Sequence, residues 1–229
     1  MMVVVVSSCS PSSSATAPTS SVPPPEAPGA TGAATLPSLG PAPTGVPGLA
    51  AADPFCATWA AFAGTVQALG VAASFGDLTT DRLAALELAA APRLSEAISA
   101  IGASWPAELA AERAVVIDQR IGPYARRASR AVDALAAAGV TEDQLVMLRS
   151  AWQSSLAQQN PDSPVIEPPA VPIELQTTID SVAGTYDKQV TPFAEDPSLS
   201  VGNVSAPATD QYLGAHCPDL ASIGVGDAL

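Results

Sequence analysis

Five of the nine basic residues of this chain crowd into one stretch: Arg113, Arg120, Arg126, Arg127 and Arg130. In a protein of net charge −13 this is the one uneven feature of the charge pattern. A guanidinium is a planar fork of donors that matches carboxylate and phosphate bidentately. Arg113, Arg120 and Arg127 recur every seventh residue, which on an ideal helix places them along one edge of its apolar seam. There they could grip an anionic group of a ligand or partner. The same spacing also suits arginine stems lying over the core edge while their heads pair with acids of neighbouring helices. Gly122-Pro123 interrupts the stretch and leaves its register open.

Other chemistry has little to work with. His216 is the single histidine. Cys217 beside it would point elsewhere on a helix, so an adjacent Cys–His pair does not form a nucleophile and base. A zinc site needs several Cys or His ligands at close spacing, and the sequence has no such cluster. Glu142-Asp143 and Glu195-Asp196 are chain neighbours that read as a helix start and a solvated loop. The nucleophile elbow G-x-S-x-G, the P-loop and G-x-G-x-x-G are all missing, and no helix follows Gly224-Val225-Gly226 to cradle a phosphate. The expectation is therefore no catalytic residue, no metal and no cofactor. Nucleic acid is disfavoured as a partner, because that affinity comes from Lys and Arg neutralising phosphates.

The third sequence feature concerns location. Val6-Ser7-Ser8-Cys9 sets an apolar residue and two small ones before a cysteine, and a long Ser/Pro/Thr/Ala tract follows. This resembles the processing site of bacterial lipoproteins. The resemblance implies that residues 1–8 are signal-peptide-like, that Cys9 carries the lipid, and that the protein is held on the outer face of the cell membrane. A signal peptide has a positive n-region and an apolar core of about 7–15 residues. Only Met1, Met2 and Val3 to Val6 precede the small residues here, so the true start is expected upstream of the written one. With Cys9 assigned to lipid, Cys56 and Cys217 remain. In an oxidising compartment they should pair as a disulfide, the alternative being two buried free thiols.

Between Cys9 and the folded part, residues 10–52 carry no aromatic residue and Glu26 as their one charge. Such a segment cannot bury enough apolar surface to offset its ordering entropy. At up to about 3.1 Å per residue for Pro-rich chain, residues 9–52 would act as a tether reaching on the order of 100 Å. No stretch approaches 18 consecutive apolar residues, so no membrane-spanning helix is expected.

Residues 53–229 should form the folded domain, and their apolar spacing reads as helices. The first, from about Asp53 to Phe75, places Phe55, Trp59, Phe62, Val66 and Leu69 on one face. A second runs from about Thr80 to Ile101 with Leu83, Leu86, Ala90, Leu94 and Ile98 as its stripe, and Pro92 should kink or split it. A third spans Pro106 to Ala138, closed by Gly139, and Gly122-Pro123 interrupts it, so that it is either one helix or two. Thr141-Glu142-Asp143-Gln144 has the form of a capping box that opens a fourth. Residues 160–172 hold five prolines and must be a connector. A fifth runs from about Ile173 to Val190, residues 191–206 read as loop, and a short helix from Ala208 to His216 returns Cys217 to the first. The fold class is all-α: an up-and-down bundle of four or five main helices. Trp59, Phe62, Trp105, Tyr124, Trp152 and Tyr186 recur at core spacing, though aromatics can also line a pocket.

The layout, with one cysteine in the first helix and another near the end in Tyr212-Leu213-Gly214-Ala215-His216-Cys217-Pro218, also resembles secreted or lipid-anchored helical proteins of actinobacteria. That implies the compartment and the helical fold but no activity. The function these readings lead to is a non-catalytic, lipid-anchored extracytoplasmic module that binds a protein or envelope component. The alternative is a carrier or sensor for a small apolar or anionic ligand.

Overall fold

The computed structural model describes residues 45–75, 78–158, 169–199 and 204–223. Cys9, the signal-like segment, the tether as far as residue 44, the middle of the proline connector and Gly224-Val225-Gly226 lie outside these. The described residues fold as an all-α bundle. Its helices are α1 (Pro54–Phe75), α2 (Thr80–Ala103), α3 (Gly122–Ala137), α4 (Glu142–Gln158), α5 (Ile173–Tyr186) and the short α6 (Pro207–His216).

Helix α2 lies at the centre, packed against α1, α3, α4 and α5. Its sequence explains why it can. Every residue from Leu86 to Pro92 is buried, so this stretch is covered on all sides rather than along one stripe. A helix in that position needs small side chains, and Ala89, Ala90 and Ala91 let its neighbours approach closely. Pro92 sits inside α2, and of the kink or split expected there the split does not occur, since the helix runs on past it. By length and composition α1 could cross a membrane, but 67% of its apolar window is buried in the protein, where it forms the core. Phe55, Trp59 and Phe62 are buried there, and their rings continue edge-on to Tyr124 of α3 at 5.4 Å from Phe62. Such aromatic contacts add to area burial.

The third segment is divided at Gly122-Pro123, the second of its two expected forms. A 3₁₀ turn occupies Ala107–Leu109, a π-type turn covers Val115–Arg120, and α3 begins only at Gly122. Pro123 is the cause: it has no N–H to bond back and restricts the residue before it. The Ile121 N–H reaches five residues back to Val116 at 2.9 Å, which inserts an extra residue into the helical path. The seven-residue spacing of the arginines therefore does not run along one edge. The end of α3 matches its sequence signal. Gly139 adopts φ +89°, and the Val140 N–H returns to the Leu135 carbonyl at 3.0 Å, a Schellman closure. The start of α4 does too: the Thr141 N–H donates to Gln144 Oε1 at 2.8 Å, and the Gln144 N–H to Thr141 Oγ1 at 3.4 Å. Helix α5 stops at Tyr186, short of Val190, and the chain turns to bring Thr191 back toward α3.

Folded structure starts before the expected boundary at residue 53. Val46 is 7% exposed and its N–H donates to the Leu156 carbonyl of α4 at 3.0 Å. Gly45 makes this possible, since at φ +96° a Cβ would lie 2.7 Å from the Ala157 carbonyl oxygen. Residues 45–50 thus form a strap over α1 and α4. At the other end, Cys217 follows α6 and is joined by a disulfide to Cys56 of α1, with the Cα atoms 5.4 Å apart.

Candidate functional site

The polar interior is built around Glu87. It stands in the fully buried run of α2, at helical spacing from Leu83 and Ala90, where an apolar residue would be expected. A lone carboxylate there would be costly, and Arg127 of α3 meets it. Arg127 Nε donates to Glu87 Oε1 and Nη2 to Oε2, both at 2.7 Å, with side-chain exposures of 3% and 8%. Arg127 Nη1 donates to Asp196 Oδ2 at 2.8 Å, and Nη2 also to the Thr191 carbonyl at 2.8 Å. The Phe193 ring lies 5.3 Å from the guanidinium carbon, a cation–π distance. From α5, the Tyr186 hydroxyl donates to Glu87 Oε1 at 2.9 Å. The Tyr124 hydroxyl donates to the Leu199 carbonyl at 2.8 Å, pinning the segment that carries Asp196.

Electrostatics follow from this packing. Burial alone would lower the pKa of Arg127, but its bond to Glu87, the Glu87 charge and the bond to Asp196 raise it above the usual value. Burial, reinforced by the Glu87 charge, pushes the Tyr186 phenol up. Burial, with Asp196 nearby, pushes Tyr124 up to about 12. Asp196 itself is held below the usual carboxylate range: partial burial opposes this, and hydrogen bonds from Ser198 and Arg127 outweigh it. The chemistry is that of a satisfied hydrogen-bonded network. Four N–H bonds of Arg127 end on acceptors of the protein, and both Glu87 oxygens are engaged. The network ties α2, α3, α5 and the segment after α5 together, and one side of it borders a cavity of about 100 Å³ with Leu69, Leu83, Val190 and Phe193 as apolar walls.

The other two arginines of the expected edge lie elsewhere. Arg120, also buried, forks onto Asp210 of α6 at 2.5 and 3.2 Å and onto the Val204 carbonyl at 2.7 Å. Beside it Glu112 caps the start of α6, accepting from the N–H groups of Ala208 at 3.0 Å and Thr209 at 2.8 Å and from the Thr209 hydroxyl at 2.8 Å. Partial burial opposes ionisation of Glu112, and these bonds together with the Arg120 charge overcome it, so its pKa lies below the ordinary value. This latch seats α6, which delivers Cys217 to Cys56. Arg113 remains at the surface and donates to the Gly102 carbonyl at the end of α2 at 3.2 Å. Arg120 and Arg127 therefore serve two separate internal clusters, and Arg113 joins neither.

His216 is exposed, with its ring stacked on Tyr212 at 4.3 Å. Among the described residues no group of three or more His, Cys, Asp or Glu side chains is placed to hold a metal ion. Sequence reasoning missed Glu87, Asp196, Glu112 and Asp210 as the partners of the buried arginines. One signal was present: Glu87 occupies a stripe position in a helix that is otherwise apolar over the same turn. Asp196 and Asp210 gave none, since each is an acid in a polar stretch until the fold brings it to an arginine. No protein-family model, curated protein or solved structure matches this chain.

Proposed function

We propose that this chain is a non-catalytic helical binding module, acylated at Cys9 and displayed by its proline-rich tether on the outer face of the cell membrane. The observation that carries this reading is the disulfide between Cys56 and Cys217, 161 residues apart. Structural disulfides of this kind belong to oxidising compartments, and the lipoprotein-like Val6-Ser7-Ser8-Cys9 points to the same side of the membrane. The module's partner is a protein or envelope component. Of the three arginines, Arg113 is the one at the surface, and it is the contact we assign to an anionic group of that partner.

Metabolic labelling of the chain in a bacterial host with an alkyne fatty acid tests the anchor. Label should enter the wild type and be lost in Cys9→Ala. A wild-type protein that stays unlabelled and cytosolic, with Cys56 and Cys217 both alkylated under non-reducing conditions, overturns the reading.

A further inference from the structure

The N-terminal strap roofs a groove of about 620 Å³ that none of the networks above uses. Its size falls within the roughly 300–1,000 Å³ of ligand pockets. The floor is made of small side chains: Ala57 and Ala61 from α1, Ala97 and Ala100 from α2, and Ala157 from α4. The strap contributes Val46 and Leu49, and Gly45 sets how closely it approaches α4. The result is a mainly apolar slot bounded by three helices and a loop, with Thr58 and Gln153 as polar side chains in its walls.

One cation lines this slot. Arg93 of α2 is 13% exposed at its side chain, and among the described residues the ion pair it makes is with Glu96, one helical turn on at 2.5 Å. Glu96 is itself 48% exposed and so is a weak, solvent-screened partner. Arg93 Nε is buried with no hydrogen-bond partner. Leaving a buried donor unmade is costly, and a cation covered to this degree normally has more than one surface acid to answer it. Arg127 shows what full satisfaction looks like in the same protein. Asp219 lines the slot itself and Glu96 pairs with Arg93, and a polyanion would be repelled by them and by the net charge of −13. A monoanion on an apolar chain meets all three demands: the cation, the apolar floor and the acidic surroundings.

We propose that this groove binds a single-chain carboxylate amphiphile, a free fatty acid, with its head group on Arg93 and its chain along the alanine floor beneath the strap. Binding sets the ligand carboxylate in competition with Glu96 for one guanidinium. The inference is independent of acylation at Cys9: failed labelling leaves the groove untouched, and failed ligand binding leaves the anchor untouched.

The test is calorimetric titration of the purified full chain with decanoate below its micelle concentration and with 1-decanol as the uncharged match, with native mass spectrometry for stoichiometry. Decanoate should bind one to one, and 1-decanol about tenfold more weakly, in keeping with the loss of a charge-assisted hydrogen bond. Arg93→Gln should weaken decanoate about tenfold and leave 1-decanol unchanged. Ala100→Leu, which fills the slot from a half-buried position of α2, should weaken both. Glu96→Gln should tighten decanoate several-fold. That exposed position leaves folding intact, so the test survives even if Arg93→Gln unfolds the protein. No saturable decanoate binding, equal binding of 1-decanol, or decanoate affinity indifferent to Glu96→Gln would each overturn the proposal.

Discussion

Arg127 and Arg93 are both largely withdrawn from water, and both meet acids through helix α2, yet their surroundings differ. Arg127 has two carboxylates, a backbone carbonyl and an aromatic face drawn from two separate parts of the chain, α2 and the segment after α5. Arg93 has one exposed carboxylate from its own helix and an unmade donor. The first arrangement is closed: its donors are used, and its acids come from sequence positions that only the fold can assemble. The second is open toward a slot with small walls. Burial of a guanidinium does not separate structure from binding. What separates them is whether the protein itself completes the donor set, and the Arg120 latch on α6 lies between the two cases.

The contrast can be broken most severely at Arg127. Arg127→Met leaves Glu87 buried and unpaired, and should cost about 3–5 kcal/mol in urea unfolding. The double variant Glu87→Leu/Arg127→Met should recover most of that loss, because an apolar pair of similar volume often replaces a buried ion pair at little cost. A double variant as unstable as the single one would show that the network does more than satisfy its own charges.

Next in size is the cross-link. Cys217→Ser removes a constraint worth up to about 5 kcal/mol in the chain-entropy account, with typical losses of 2–5 kcal/mol. The melting temperature should fall by on the order of 10 °C, while α6 stays docked through Glu112 and Arg120. Amide hydrogen exchange on α6 checks this, and full exchange there would mean that the latch depends on the disulfide. Glu112→Gln keeps the shape of the cap but removes its charge at a helix N-terminus, and should cost about 0.3–1 kcal/mol.

Dependence on pH should show two limbs. Asp196 and Glu112 have pKa values depressed on folding, so their contribution is complete above the unfolded carboxylate values of about 4 and is lost as pH falls through the lower folded values. Tyr124 is raised to about 12 from an ordinary 10.0. Its contribution is therefore complete below pH 10 and lost as pH climbs toward 12, with Tyr186 acting in the same direction. Urea midpoints across this range should show the alkaline limb flattening in Tyr124→Phe. The smallest effect is expected at the open site: Arg93→Gln should shift stability by less than about 0.5 kcal/mol. A loss as large as that of Arg127→Met would erase the distinction between the two arginines.

Much of the fold was legible from residues alone. The apolar period of α1, the Thr141–Gln144 box, the Gly139 closure and the disulfide partners all rest on local rules or on simple counting. Where reading failed, it failed for reasons of context. Pro92 is expected to kink or split α2, and the helix is not split there: the stretch up to Pro92 is buried on all sides and the helix runs on past it. The division of the third segment at Gly122-Pro123 was legible, but the wide turn before it, which rotates Arg120 away from Arg113, was not. The strap was assigned to the tether because its composition is the same. What distinguishes it is Val46 seated against α1 and α4, which no window of Pro, Gly and Ala reveals.

The sequence by itself determined helices, their caps, the presence of an apolar interior and the supply of arginines and acids, because each depends on neighbours within a turn or two. Tertiary structure alone decided which acid answers which arginine, since Glu87, Asp196 and Asp210 meet their partners across 40, 69 and 90 residues of chain. It also left Arg93 with an exposed acid one turn away and a slot with small walls beside it. Such pairings are settled by which helices stack on α2, and the free energy that selects the stacking belongs to the whole core rather than to any local stretch.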